Sequence, residues 1–183
     1  MVAGDKRKRT LKLNDEQSVV ISQVSNRALG VHFKEVVMIE VASFPVSIRD
    51  SASQLLQLAQ SPLALFLLAH LHPTNNVVGY LSAERLELFD DIPGVSQDSH
   101  FGLGDTVYLS SVAVLRPYRH QGIGMAMQKE CLQLARHAGF KRVTAHVALG
   151  SLKRMRLVGR AIEAFSNWYG TEKTYEYIEI PLH

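Results

Sequence analysis

Val112-Ala113-Val114-Leu115-Arg116-Pro117-Tyr118-Arg119-His120-Gln121-Gly122-Ile123-Gly124-Met125-Ala126-Met127 is the stretch on which the reading of this chain turns. Val112 to Val114 end an alternating, β-rich run that begins at Val107, and Arg116 to Gln121 form a basic turn. From Gly122 to Ala138, the residues Ile123, Met127, Cys131, Leu134 and Ala138 fall on one helical stripe, with Gly139 where a C-terminal glycine belongs. The first N–H groups of a helix have no partner within it and carry partial positive charge. Phosphates bind there readily. Gly122 and Gly124 remove side chains that would hold a phosphate off the backbone, and Arg116 and Arg119 add charge before the turn. The segment is therefore predicted to cradle a pyrophosphate. It is not a dinucleotide fingerprint, because Met127 stands where a third glycine would be, and it is not a P-loop, because no Gly-Lys-Ser/Thr follows.

Outward from this segment the chain reads as alternating strands and helices. Toward the N-terminus, Val19 to Val24 is a strand. Val31 to Ala42 is a helix ending at Phe44-Pro45, and Asp50 to Gln60 is a second helix. Leu65 to Leu71 and Val77 to Leu88 make a hairpin around the turn residues 72–76, followed by a loop over 89–104. Toward the C-terminus, Val143 to Leu149 is a strand, Leu152 to Trp168 a helix and Thr174 to Ile180 a final strand. The order is β-α-α-β-β-β-α-β-α-β, an α/β layout with one mixed sheet.

The chain's 183 residues, 46% of them hydrophobic and 20% charged, suit one globular domain rather than a disordered or fibrous chain. A single cysteine, Cys131, excludes an intrachain disulfide framework and favours a reducing, cytoplasmic setting. No run of roughly 18 apolar residues predicts a membrane span. The N-terminus lacks the apolar stretch of a secretory signal. Charge is unevenly placed. Residues 1–12 are net +4 and the remainder −1, so residues 1–16 read as a flexible basic arm before a domain at 17–183. Within the domain, Glu84–Asp105 is net −5 and Arg116–Arg160 is net +9. Such a split suits a site for an anion beside one for a cation.

The segment Arg119-x-x-Gly122-x-Gly124, entered through Val112-Ala-Val-Leu-Arg-Pro-Tyr-Arg, resembles the acetyl-CoA-binding motif of the GCN5-related N-acetyltransferase (GNAT) family, Arg/Gln-x-x-Gly-x-Gly/Ala. The likeness is specific over residues 106–149, and the element order fits the family's central mixed sheet flanked by helices. The resemblance implies that acetyl-CoA binds with its pyrophosphate at Arg119, His120, Gln121, Gly122, Ile123, Gly124, Met125 and Ala126. Its pantetheine arm would lie along Val112, Ala113 and Val114, and the Val112 N–H would polarise the acetyl carbonyl. The strand from Val143 would diverge to leave a cleft. A primary amine, small-molecule or protein-borne, would attack the thioester directly, which needs a base and an acid.

For these roles the sequence offers Tyr108, Ser110, Glu84, His146 and Tyr169, with Ser166 as a further choice. Alternation places Tyr108, Ser110, Val112 and Val114 on one face of their strand. Tyr108 and Ser110 stand where the arylalkylamine N-acetyltransferases, which the chain faintly resembles, carry two relay histidines. Glu84 is a strand carboxylate and His146 lies across the cleft with a suitable titration range. Tyr169 is the phenol nearest the expected acid position, although the family's Tyr-x-x-x-Gly pattern is broken, with Ser166 at the matching place. Asp90, Asp91 and Asp98 are expected to attract a cationic amine. Lys153, Arg154, Arg156 and Arg160 form a basic helix face within reach of an adenosine phosphate. His70 and His72 share a strand face but find no third metal ligand. Two other functions remain open: a non-catalytic acyl-CoA-binding or regulatory domain, and nucleic-acid binding through Lys6–Lys12, which the absence of interleaved aromatics makes weak. The last strand is a candidate for pairing across a homodimer.

Overall fold

The computed structural model describes residues 8–155 and 158–183. Its strands are β1 (Lys8–Lys12), β2 (Ser18–Gln23), β3 (Leu65–His72), β4 (Asn76–Arg85), β5 (Thr106–Val114), β6 (Arg142–Ala148), β7 (Arg160–Phe165) and β8 (Tyr175–Pro181). Its helices are α1 (Asn26–Ser43), α2 (Ala52–Gln60), α3 (Ile123–His137) and the short α4 (Ser151–Met155). The strands form one mixed sheet in the order β1-β2-β3-β4-β5-β6-β8-β7, with β5 and β6 parallel and the other neighbours antiparallel. Among the described residues no helix is long and apolar enough to cross a membrane.

Local chemistry sets the helix boundaries. Ser25 caps α1 by accepting the Ala28 N–H, so the helix starts five residues before its apolar run suggests. Ser51 and Gln54 form a reciprocal capping box at α2. The stripe of α3 buries Ile123, Met127, Cys131 and Ala135 against Val19, Ile21, Leu67, Leu81, Val107 and Val143 on one sheet face. On the other face α1 and α2 bring Leu29, Val36, Ile39, Leu55 and Leu58 onto Leu68, Tyr80, Tyr108 and Tyr177. Each such side chain contributes about 1.5–3 kcal/mol by leaving water.

Two irregularities shape the centre of the sheet. β5 pairs with β6 only at Thr106–Arg142, Val107–Val143 and Tyr108–Thr144, after which the strands part. Between β4 and β5, Ser82 pairs with Ser111 but Ala83 with Leu109, leaving Ser110 as an extra residue in β5. The bulge reverses the alternation. Tyr108 packs on the α1–α2 side with Ala113, whereas Val112 and Val114 pack on the α3 side with Val107 and Leu109. Tyr108 and Val112 therefore do not share a face, contrary to strict alternation.

Three other expectations change. The basic arm expected over 1–16 contains β1, whose Leu11 packs on the core while Lys8, Thr10 and Lys12 face water. The Asn14 side chain closes the hairpin by accepting the Glu16 and Gln17 N–H groups, and Lys6 and Arg7 lie outside the described residues. The helix expected over Leu152–Trp168 is instead α4, then β7, then a turn. Pairing of β7 with β8 overrides helical propensity there, and at Gly159 a Cβ would come 2.5 Å from the Glu179 carbonyl. Finally, β8 lies between β6 and β7, so both its edges are taken and it cannot pair across a dimer.

Candidate active site

Where β5 and β6 part, one cavity opens on the α3 side and another on the α1–α2 side. The first, about 430 Å³, runs between Leu109 and Val112 of β5, Gly124, Met125 and Gln128 of α3, and Val143 to Ala148 of β6. The second, about 540 Å³, is walled by Phe44, Phe89, Trp168 and Tyr169, with Asp50, Asp91 and Ser111 among its polar residues. Phe44, Ser110, His146 and Tyr175 line both, so the cavities meet at these four side chains.

The predicted phosphate loop sits at the head of the first cavity. A 3₁₀ turn at Arg116–Tyr118 leads to Gly122, whose φ of +83° gives the left-handed conformation that starts α3. No side chain caps this helix. Ala126 is the first residue to donate back, to the Gly122 carbonyl, so the N–H groups of Ile123, Gly124 and Met125 have no acceptor within the helix. Arg119 is folded back, its Nε donating to the Val114 carbonyl at 2.7 Å, and Gln121 donates to the Pro117 carbonyl at 3.1 Å. A Cβ at Gly124 would meet Val112 and Val114 at 3.7 and 3.9 Å, ordinary contact distances. Packing within the chain thus does not demand this glycine, which lines the open groove. Arg154 of α4 also lines that groove, while Arg160 sits on β7 and pairs with Glu179. Arg156 lies outside the described residues.

In the second cavity the structure supplies a carboxylate that sequence reasoning missed. Asp50 lies between the α1 terminus and the α2 cap. Ser110, the bulged residue, and Ser111 beside it each point Oγ at its Oδ2, at 3.4 and 3.3 Å. Burial raises the Asp50 pKa above the usual aspartate range, the two hydroxyls offset part of this, and nearby Asp91 adds to it. Behind Asp50, Glu40 accepts the Asp50 N–H on Oε1 at 2.8 Å and the Tyr80 hydroxyl on Oε2. Glu40 is 1% exposed and burial raises its pKa as well.

The other candidates fall into distinct environments. Tyr108 is buried, and its Oη is hydrogen-bonded to His146 Nδ1 at 2.9 Å. Burial, with the charges around it, keeps the phenol protonated. His146 stacks on Trp168 and Tyr177 at 4.3 and 4.8 Å between ring centres. Burial pulls its pKa down to about 4, with the Pro93 carbonyl offsetting part of the effect. The imidazole is therefore neutral at pH 7 and a weak base. Tyr169 is in the turn after β7 with a φ of +45°, half-exposed on the acceptor wall, its pKa raised by partial burial and by Asp91. Ser166 is exposed and lines neither cavity. Glu84 also lines neither: it is buried, with Oε1 accepting the Arg85 N–H at 2.8 Å. Asp98 is tied into the structure by Arg142 and by the Tyr177 hydroxyl at 2.7 Å, so of the acids expected to steer an amine only Asp91 lines the cavity. Among the described residues, His70 and His72 gain no third ligand.

Comparison with known proteins agrees with this geometry. A model of the acetyltransferase (GNAT) family matches residues 33–161, more than half of the chain. By sequence alone, no curated protein matches. Solved structures share the fold at low identity. The ribosomal-protein-S18-alanine N-acetyltransferase of Escherichia coli superposes with a TM-score of 0.65 at 15% identity, over 90% of this chain and 94% of that one. NAA60 of Arabidopsis thaliana, solved in complex with acetyl-CoA, gives 0.69 at 16% identity, over 90% and 98%. The IAA acetyltransferase of Bacillus cereus gives 0.58 at 13% identity, over 90% and 99%.

Proposed function

Because the chain belongs to the acetyltransferase (GNAT) family, an acetyl-CoA-dependent class of acyltransferases, we propose that it acetylates the primary amine of a small molecule held in the α1–α2 cavity, with Asp50 as the base. One observation carries this reading. The Asp50 carboxylate faces Ser110, and Ser110 is one of the four side chains at which the two cavities meet.

The residues of the α3-side cavity fit coenzyme A. The unpartnered N–H groups of Ile123, Gly124 and Met125 suit its phosphates. The β6-facing edge of β5 beyond Tyr108, which has no ladder partner, suits the amides of its pantetheine arm. Gly124 lines this groove beside Val112. Bound there, acetyl-CoA supplies an acetyl group activated as a thioester.

The chain's own groups do the rest. Asp50 draws the substrate's ammonium into the cavity and accepts its proton, and the hydroxyls of Ser110 and Ser111 orient the carboxyl. Asp50 is preferred to His146 because burial raises the carboxyl's affinity for a proton and lowers that of the imidazole. The Val112 N–H is the proposed donor to the developing oxyanion. Tyr175, at the junction of the cavities, is better placed than Tyr169 to protonate the leaving thiolate. A cavity of about 540 Å³ with aromatic walls and acidic groups fits a compact cationic amine. A reducing, cytoplasmic setting suits the buried free thiol of Cys131.

The test is coenzyme A release from acetyl-CoA across a panel of arylalkylamines, polyamines, aminoglycosides, amino acids and lysine peptides, with a no-amine control. Turnover of a small amine, lost by about a hundredfold or more in Asp50→Asn, is the expected result. Turnover of lysine peptides only would replace the small-molecule reading. Acetyl-CoA binding with silence across the panel would favour a non-catalytic binding domain.

A further inference from the structure

Glu40 is a buried carboxyl group that the reaction above does not use. Its two oxygens hold the Asp50 N–H and the Tyr80 hydroxyl, and it makes no ion pair among the described residues. Arg49, the residue before Asp50, donates instead to the carbonyls of Val41 at 3.1 Å and Phe44 at 3.0 and 3.3 Å. On the far side of Asp50, the Ser111 hydroxyl donates to Oδ2 at 3.3 Å. Asp50 and Glu40 are thus joined directly, by the Asp50 N–H donating to Glu40 Oε1. A carboxyl so buried is costly to ionise, a cost that the nearby Arg49 charge offsets only in part, and that cost calls for a role.

We propose that Glu40 is a positioning residue for proton transfer, pinning the backbone of Asp50 so that its carboxyl faces Ser110 and Ser111, and forming with it one coupled acid pair. This rests on Asp50 being the group that takes the amine's proton. Two carboxyls joined in this way resist being charged together, so the second proton of the pair leaves at a higher pH than from an isolated aspartate. Burial acts on both groups in the same direction. The other titratable or charged groups around Asp50 are Arg49 beside it, Asp91 from the loop, Tyr80 of β4, Tyr108 of β5 and His146 across the cavity. Of these only Asp91 carries a further negative charge, and it is exposed.

Glu40→Gln keeps an oxygen for the Asp50 N–H and removes the charge, whereas Glu40→Ala removes both. The experiment compares the pH profile of kcat/KM in the two variants with wild type, together with the carboxyl titration of Asp50 followed by NMR in the free protein and assigned with Asp50→Asn. In Glu40→Gln, the acid limb and the Asp50 midpoint should both move down by about one pH unit or more. In Glu40→Ala, plateau kcat should fall further, by about tenfold or more, because the carboxyl is no longer aimed. Profiles and midpoints that superpose on wild type, with only melting temperature lowered, would show a purely structural role and overturn the proposal. Should Glu40→Ala fail to fold, Glu40→Gln carries the test. If wild type turns over no amine, the acceptor reading fails, while the NMR midpoint still decides the coupling.

Discussion

Tyr108 Oη lies 2.9 Å from His146 Nδ1, joining β5 to β6 just where their backbone ladder ends at Tyr108–Thr144. The bond helps hold a neutral imidazole among the rings of Trp168, Tyr177 and Phe165. Because burial pulls the folded-state pKa of His146 down to about 4, folding favours the unprotonated ring. That stabilisation is complete above the ordinary histidine value of about 6.5 and is lost as pH falls from there to about 4. The difference in unfolding free energy between wild type and His146→Phe should therefore be flat above that range and shrink within it. Denaturant melts at several pH values check this, and a difference independent of pH would count against a neutral, buried ring.

Asp50 makes the opposite prediction for stability and a separate one for rate. Its folded-state pKa is raised, so its contribution to stability is present below the ordinary aspartate range and lost as pH rises through the folded value. Asp50→Asn should therefore gain in melting temperature relative to wild type as pH rises, while kcat/KM falls by about a hundredfold or more. Wild-type kcat/KM should climb with pH through the Asp50 titration, and the variant should lack that limb. A variant that lost stability and activity together at neutral pH would mark Asp50 as a packing residue.

The elements between Val19 and Ala138 were legible in the sequence because local signals and tertiary pairing agree there: the α3 stripe, the apolar spacing of α2, and prolines after the helices. The strand, turn and glycine-started helix proposed to hold phosphate were legible for the same reason, since Gly122 and the preceding strand are close in sequence. Three features were not. The Ser110 bulge depends on how β5 registers against β4, and nothing local to Ser110-Ser111 announces it. β7 follows an apolar, basic stretch that reads as helix, and only pairing with β8 makes it a strand. Asp50 reaches Ser110 and Ser111 from 60 residues away, so no spacing rule could reveal it. The signal that was available is modest: a carboxylate directly before a helix cap, on the segment that follows the first long helix.

The two loop glycines should separate structure from binding. Gly122 holds a φ of +83°, so Gly122→Ala strains the start of α3 and should cost about 1–2 kcal/mol of stability. Gly124 has an ordinary backbone, and an added Cβ meets protein atoms no nearer than 3.7 Å. Gly124→Glu should leave the melting temperature nearly unchanged, since an acid suits a helix start, while its charge repels the phosphates and raises Kd for acetyl-CoA about tenfold, equivalent to about 1.4 kcal/mol. Calorimetric titration beside a thermal melt distinguishes them. Equal cofactor affinity in Gly124→Glu and wild type would remove the phosphates from this helix start.

Asp91 and Asp98 lie seven residues apart in one acidic loop but should behave oppositely. The Asp98 side chain is 1% exposed and paired with Arg142, which also holds Glu179 at 2.6 Å, so the loop is clamped to β6 and β8. Asp98→Asn removes one of the two carboxylates on Arg142 and the charged acceptor of the Tyr177 hydroxyl, and should cost about 1.5–3 kcal/mol in unfolding free energy. At temperatures where it stays folded, its KM for a cationic amine should be close to wild type. Asp91 is exposed on the cavity wall with no ion pair among the described residues. Asp91→Asn should leave stability within about 0.5 kcal/mol of wild type. It should raise KM for a cationic amine, and added salt should narrow the gap, since screening weakens an exposed attraction. Steady-state kinetics at low and high ionic strength read this directly, and an unchanged KM at low salt would leave Asp50 as the cavity's only attraction for the amine.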